Sequence, residues 1–460
     1  MNREKRMIIQ TVNPATEEVI KDYEELSDAV VSDCINHMHD TYYNWSKTSF
    51  NERKSLMLKA AEILKANQMQ YATLMTNEMG KLISESLAEI DKCVLVCEHY
   101  AEHAESYLTD KVILTAATKS YVSYQPLGVV FAIMPWNYPF WQVFRFACPT
   151  LMAGNAGLLS HASISSGVGQ AIEDIFIKAG FPKNIFKSVI ISNKSAEKVI
   201  ENKKIIAVTL TGSDKAGRAV GKTAGANLKK VVLELGGSDP YIICDDADLD
   251  LAASEIIKSR MNNCGQVCIA AKRIICVSSV LSDLTHKIIK GLKKYQMGNP
   301  LDLNCNFGPL SKKIQRDEVH QQVVKSISQG AELLLGGQLP ERIGFYYPPT
   351  LLANVKPGIE AFDNEVFGPV IALVEACDLE YAVVLANQSE YGLAGAIFTK
   401  NITLGEQIAR EQLQVGSCAV NSMVKSDPKL PFGGIKSSGY GRELAEDGIK
   451  AFVNIKTITV

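Results

Sequence analysis

The stretch Asn263-Cys264-Gly265-Gln266-Val267-Cys268 follows Glu234-Leu235-Gly236-Gly237 by about thirty residues. A lone cysteine is most often a small buried hydrophobe. Here the Gly-Gln turn is expected to expose the Cys268 thiol at the start of an element, where backbone amides stabilise a thiolate. Glu234 falls near the end of the apolar run Val231 to Leu235. A carboxylate at the end of a buried strand is costly unless it is solvated or functional. A nucleophilic thiol with a carboxylate base fits acyl chemistry through a thioester. Cys264 stands four residues before Cys268. If the segment coils tightly, the two sulfurs reach disulfide distance and form a reversible oxidative off-switch. The alternative is an unpaired, buried Cys264 thiol.

Other groups invite chemistry less strongly. Gly212-Ser213 follows a strand and opens a helix, and free amides there suit a phosphate. Gly221-Lys222-Thr223 looks like the end of a Walker A loop, but position 216 is Ala and the triplet lies inside the helix, which disfavours an ATPase. No G-x-G-x-x-G is present. Cys93 and Cys97, with His99 and His103, are spaced for a helix surface and have no second ligand pair, so no metal is expected.

These residues need a scaffold. The 460 residues carry a net charge of −2, with 47% hydrophobic and 21% charged residues, an ordinary globular composition. No global pull on nucleic acid or anionic membrane follows. The first ten residues contain no apolar core of a secretory signal. No uncharged apolar run reaches membrane-spanning length. Eleven scattered cysteines in so long a chain fit reduced thiols in a cytoplasm.

The first hundred residues read mostly helical. Ser49-Phe50-Asn51-Glu52 is a capping box, followed by Leu56, Ala60, Ile63 and Leu64 on one helical face. A second helix is expected from about Lys81 to Tyr107. From Gly128 the pattern becomes β-α-β. Strands are expected at 128–134, 156–159, 185–191, 205–210 and 231–235, with helices at 166–178, 195–202 and 213–227. That is a doubly wound α/β unit with a parallel sheet, which binds ligands at the carboxyl ends of its strands. A second α/β region is expected from about Asp248 to Val424. The apolar alternation near the C-terminus fits an edge strand open to another subunit.

Six motifs appear in order: Met134-Pro135-Trp136-Asn137-Tyr138-Pro139, Thr211-Gly212-Ser213, Glu234-Leu235-Gly236-Gly237, Gly265-Gln266-Val267-Cys268, Glu365-Val366-Phe367-Gly368-Pro369 and Pro431-Phe432-Gly433-Gly434. Over nearly the whole chain the sequence resembles the aldehyde dehydrogenase superfamily. The resemblance implies a Rossmann-like cofactor domain over 1–109 and 128–234. It implies an α/β catalytic domain over 235–430, and a small β oligomerisation arm and C-terminal tail over 110–127 and 431–460. It implies a homodimer or homotetramer, NAD or NADP as cofactor and a small aldehyde as substrate.

By the same resemblance, Cys268 attacks the aldehyde. The Asn137 side chain and the Cys268 N–H form an oxyanion hole, worth about 3 kcal/mol per donor. Glu234 activates the water that hydrolyses the thioester. Superfamily members that pass the acyl group to coenzyme A lack that glutamate, so a free acid is the expected product. Met134, Pro135, Trp136, Ser160, Ser163, Gly212, Ser213, Leu235, Glu365 and Phe367 are placed around the dinucleotide, with Glu365 on the nicotinamide ribose. Trp141-Gln142-Val143-Phe144-Arg145-Phe146 and Val424-Lys425-Ser426-Asp427-Pro428 look like the succinate-semialdehyde dehydrogenase branch. There Arg145 and Ser426 would bind a distal carboxylate while Trp141 and neighbouring Phe side chains cover the methylene chain.

The chain departs from the family at Ser160, where a lysine normally reaches the adenosine ribose or its 2′-phosphate. Ser163 stands where many NAD users carry a glutamate that would repel that phosphate. One departure weakens NADP binding and the other permits it. Three rivals follow: an enzyme for another aliphatic or aromatic aldehyde, a non-catalytic dinucleotide-binding paralogue, and a cysteine hydrolase. The hydrolase lacks an evident His partner.

Overall fold

The computed structural model describes residues 8–460. Five parallel strands form the body of the first sheet, in the order Lys230–Glu234, Ile205–Thr211, Val129–Met134, Ala156–His161 and Phe186–Ser188. Gly439–Tyr440 adds an antiparallel edge beside Glu234. Helices Ser166–Ala179, Asn193–Glu201 and Asp214–Ala226 connect the strands. The alternation expected from sequence is present, with one strand shortened. The segment 185–191 forms a strand only at Phe186–Ser188, because it lies at the sheet edge and pairs on one side.

The N-terminal region holds a hairpin, Ile8–Val12 with Val19–Glu24, that the helical reading missed. Its strands carry a single buried residue each and show little apolar alternation. The capping box forms. Glu52 N donates to Ser49 Oγ at 3.2 Å, and Ser49 N donates to Glu52 Oε2 at 2.7 Å. The buried face of helix Phe50–Ala66 is Met57, Ala60, Ala61 and Leu64. It is turned about one position from the expected face, leaving Leu56 and Ile63 half-buried.

The second sheet has seven strands in the order Glu332–Leu335, Thr350–Ala353, Val370–Ala376, Arg273–Val277, Pro240–Ile243, Ala394–Phe398 and Ser417–Val420. Only the first runs antiparallel to its neighbour. Each sheet has its own hydrophobic core. Cys264 belongs to the second core, whereas Cys268 packs against the first. The four-residue step between them therefore crosses the seam where two cores meet. Strands Lys111–Val112, Ser120–Pro126 and Val453–Thr459 form a separate three-stranded antiparallel sheet. Among the described residues, no helix is long and apolar enough to cross a membrane.

Candidate active site

The thiol is presented by a strained turn. Helix Leu249–Met261 stops, and Asn263 and Cys264 adopt left-handed backbone angles, φ 49° and 52°. Such a conformation costs about 1–3 kcal/mol per residue and persists only where the surroundings enforce it. Here they do. Asn263 N donates to Glu85 Oε1 at 2.9 Å, Gln266 Nε2 donates to Asn263 O at 3.0 Å, and Ser311 N donates to Gln266 Oε1 at 2.9 Å.

Asn137 is fixed at both ends by the same turn. Its carbonyl accepts from Asn263 Nδ2 at 2.7 Å, and its Nδ2 donates to Gln266 O at 3.1 Å. A primary amide has two N–H donors, so one remains for an oxygen beside Cys268. The loop is pinned from behind by Lys272. Its Nζ donates to the carbonyls of Val267, at 3.1 Å, and Cys268, and pairs with Glu365 at 2.9 Å. Glu365 also accepts Gly237 N at 3.1 Å.

Two cavities meet at the thiol. The first encloses about 560 Å³ and is lined by Pro135, Trp136, Gly212, Ser213, Leu235, Glu365 and Phe367, with Asn137 and Cys268 in its wall. Trp136 and Phe367 meet edge to face at 5.8 Å. Ser213 caps helix Asp214–Ala226, accepting Ala216 N at 3.3 Å. The second encloses about 680 Å³ and is lined by Trp141, Arg145, Ser426, Phe432 and Lys92, again with Cys268 in its wall. Gln142 also borders both.

Most candidate residues are therefore brought to one of two rooms that share the Cys268 thiol. Met134 and Ser160 are buried on their strands and Ser163 is exposed just beyond; none of the three lines a cavity wall. Phe144 and Phe146 turn into the core, and Phe432 supplies the aromatic wall instead. The Cys264–Cys268 disulfide has no support. All eleven cysteines are free, and Cys264 Sγ donates to Gly308 O at 3.2 Å. The left-handed turn at 263–264 breaks the helical coil that the pairing would have required. Cys97 lies 3.5 Å from Cys148, sulfur to sulfur, in the core.

Burial governs the electrostatics. It pushes the Cys268 thiol up to about 11, with Lys272 and Arg145 pulling the other way. It also drives Glu234 well above the usual carboxylate range, with the neighbouring Glu443 adding to the effect and Arg145 and Arg442 opposing it. Neither oxygen of Glu234 has a hydrogen-bond partner, and the residue lines neither cavity. Arg145 is ion-paired with Glu443 and donates to Thr211 Oγ1 at 3.3 Å. Ser426 accepts Lys92 Nζ at 2.6 Å. Lys92, Lys272, Gln142 and Glu443 were not singled out from sequence. Lys272, four residues past Cys268, carried the one usable signal.

Comparison with known proteins identifies the family. The profile of the aldehyde dehydrogenase family matches residues 1–458. A protein named "Probable succinate-semialdehyde dehydrogenase" for NADP(+), from Synechocystis sp., is 43% identical over 99% of this chain and 100% of its own. An Escherichia coli succinate semialdehyde dehydrogenase for NAD(P)+ is 41% identical, covering 97% of each chain. The crystal structure of succinic semialdehyde dehydrogenase from Streptococcus pyogenes with NADP+ superposes with a TM-score of 0.96 at 36% identity, covering 98% of this chain and 99% of that one. The chain belongs to the aldehyde dehydrogenase family.

Proposed function

We propose that the protein oxidises a short ω-carboxy aldehyde, with succinate semialdehyde as the best candidate, to the free acid using NAD or NADP. The observation that carries this reading is that one thiol, Cys268, opens into both cavities. A nucleophile shared by two rooms suits a reaction in which one molecule is bound covalently and a second removes a hydride from it.

The first cavity fits a dinucleotide. Its volume falls in the ~300–1,000 Å³ range of cofactor sites. Gly212 and Ser213 present the start of a helix to it, where phosphate is favoured. Gly236 leaves room for the Glu365 carboxylate, since a Cβ there would lie 2.2 Å from Oε2. Pro135, Trp136, Leu235 and Phe367 would flank the dinucleotide and Glu365 would hold ribose hydroxyls. When bound, the cofactor accepts the hydride. By the family resemblance Ser163 would place no negative charge near a 2′-phosphate, and the relatives named for NADP(+) and NAD(P)+ support use of either cofactor.

In the second cavity Cys268 adds to the aldehyde carbon, forming a C–S bond as the carbonyl becomes an oxyanion. The free N–H of Asn137 and the Cys268 N–H would hold that oxygen. The proton lost by the thiol passes to water, since Cys268 opens into both cavities. Loss of hydride leaves a thioester, and Glu234 then takes a proton from the water that cleaves it. The Trp141 and Phe432 faces cover the methylene chain, and the distal carboxylate is received at the Arg145 and Ser426 end.

The same chemistry requires a reduced thiol, which supports a reducing compartment such as the cytoplasm. An aldehyde panel run with NAD and with NADP tests the reading. Succinate semialdehyde should exceed butanal in kcat/KM by at least about 30-fold, the worth of one charge-assisted hydrogen bond made in a closed site. Equal efficiency with the two aldehydes would contradict it.

A further inference from the structure

The substrate cavity has more positive charge than its walls neutralise. Lys92, Arg145, Lys258 and Lys425 line it, against Glu85 and Glu89. Glu89 is already engaged: it pairs with Lys81 and accepts Phe140 N and Trp141 N, both at 2.9 Å. Arg145 is engaged with Glu443. Lys258 and Lys425 are exposed and water-screened. Lys92 differs from all of these. It is half-buried on helix Ile83–Tyr107, and its Nζ stands 4.2 Å from the centre of the Trp141 ring and 2.6 Å from Ser426 Oγ. Among the described residues no carboxylate lies within ion-pairing distance of it.

We propose that Lys92, rather than Arg145, is the cation that contacts the distal carboxylate of the substrate. An ammonium held between a hydroxyl and an aromatic face has donors to spare, since Lys carries three N–H bonds and Ser426 takes one. A carboxylate arriving there completes its coordination and supplies the missing counter-charge. Arg145, whose Nε is spent on Glu443, contributes its field from behind. Burial and the Arg145 charge together depress Lys92 to about 8, so an anion that relieves this repulsion gains more than it would at a solvated lysine. The selectivity for an acid-bearing aldehyde thus rests on a residue of the long N-terminal helix, far in sequence from every motif of the family.

This inference depends on the ω-carboxy aldehyde reading, and the test separates the two. The wild type, Lys92→Met and Lys92→Arg are assayed with succinate semialdehyde and with butanal. The ratio of kcat/KM for the two aldehydes should fall about 30-fold in Lys92→Met, mainly through the KM of the semialdehyde, and stay within about fivefold in Lys92→Arg. A fall of less than tenfold in Lys92→Met overturns the proposal, as does a parallel loss with both aldehydes. A wild type without preference for the semialdehyde overturns the functional reading itself. A readout without turnover is protection of Cys268 from alkylation by succinate. Protection should be present in the wild type and lost in Lys92→Met; protection retained in the variant overturns the assignment.

Discussion

At neutral pH the Cys268 thiol, raised to about 11, is almost wholly protonated in the free protein. An acid raised in this way yields its anion only as the pH climbs through the raised value. Inactivation by iodoacetamide without dinucleotide should therefore accelerate about tenfold per pH unit from pH 7 to 9 and beyond, whereas an unperturbed thiol near ~8.5 would level off by pH 9. A plateau by pH 9 would show that burial does not control this group. Cys268, Glu234 and Asn137 were legible in the sequence because each sits in a short contiguous motif. Their partners were not. Lys92 and Ser426 are 334 positions apart, and the Glu443 that claims Arg145 lies in the C-terminal region. Spacing along a chain cannot report which cation a distant carboxylate will neutralise.

Three strands of the first sheet end where candidate residues begin. Val129–Met134 delivers Pro135 to Asn137, Ile205–Thr211 delivers Gly212 and Ser213, and Lys230–Glu234 delivers Glu234 to Gly237. Val129–Met134 was readable from its uninterrupted apolar run, as expected for a strand buried on both faces, and the other two from short apolar-rich stretches between helical segments. The N-terminal hairpin was not, since it lies largely exposed and lacks that signal. Of the two readings of Cys264 the unpaired, buried thiol stands and the disulfide does not, because an identical spacing means different things in a helix and in a left-handed turn. The turn after Lys230–Glu234 also makes a prediction. In Gly236→Ala the new Cβ would collide with Glu365, a contact only the shift of that carboxylate can relieve. The KM for the dinucleotide should rise roughly tenfold or more, the loss of one good hydrogen bond to a charged group, while thermal stability changes little. An unchanged cofactor KM would remove Glu365 from the cofactor site.

At the scale of the whole molecule, two cores meet along the step from Cys264 to Cys268, so forming the site requires both to be folded. The three-stranded sheet of 111–112, 120–126 and 453–459 pairs with no strand of either parallel sheet. Ile113, Leu114, Ile455 and Val460 are exposed on or beside it. Exposed apolar strands of this kind are usually covered by another chain. Light scattering should give a homodimer or homotetramer, and Ile455→Lys should shift it toward monomer; a monomeric wild type would contradict that role for the arm.

The most direct test joins these scales in one reaction. Glu234→Gln protein is mixed with succinate semialdehyde and NADP, or NAD, and the Cys-containing peptides are weighed. Blocking the water-activation step should leave about one equivalent of reduced cofactor per subunit and one succinyl group on Cys268, stable after the aldehyde is removed. Reduced cofactor formed with no acyl group on Cys268, or an acyl group on another cysteine, would contradict the account.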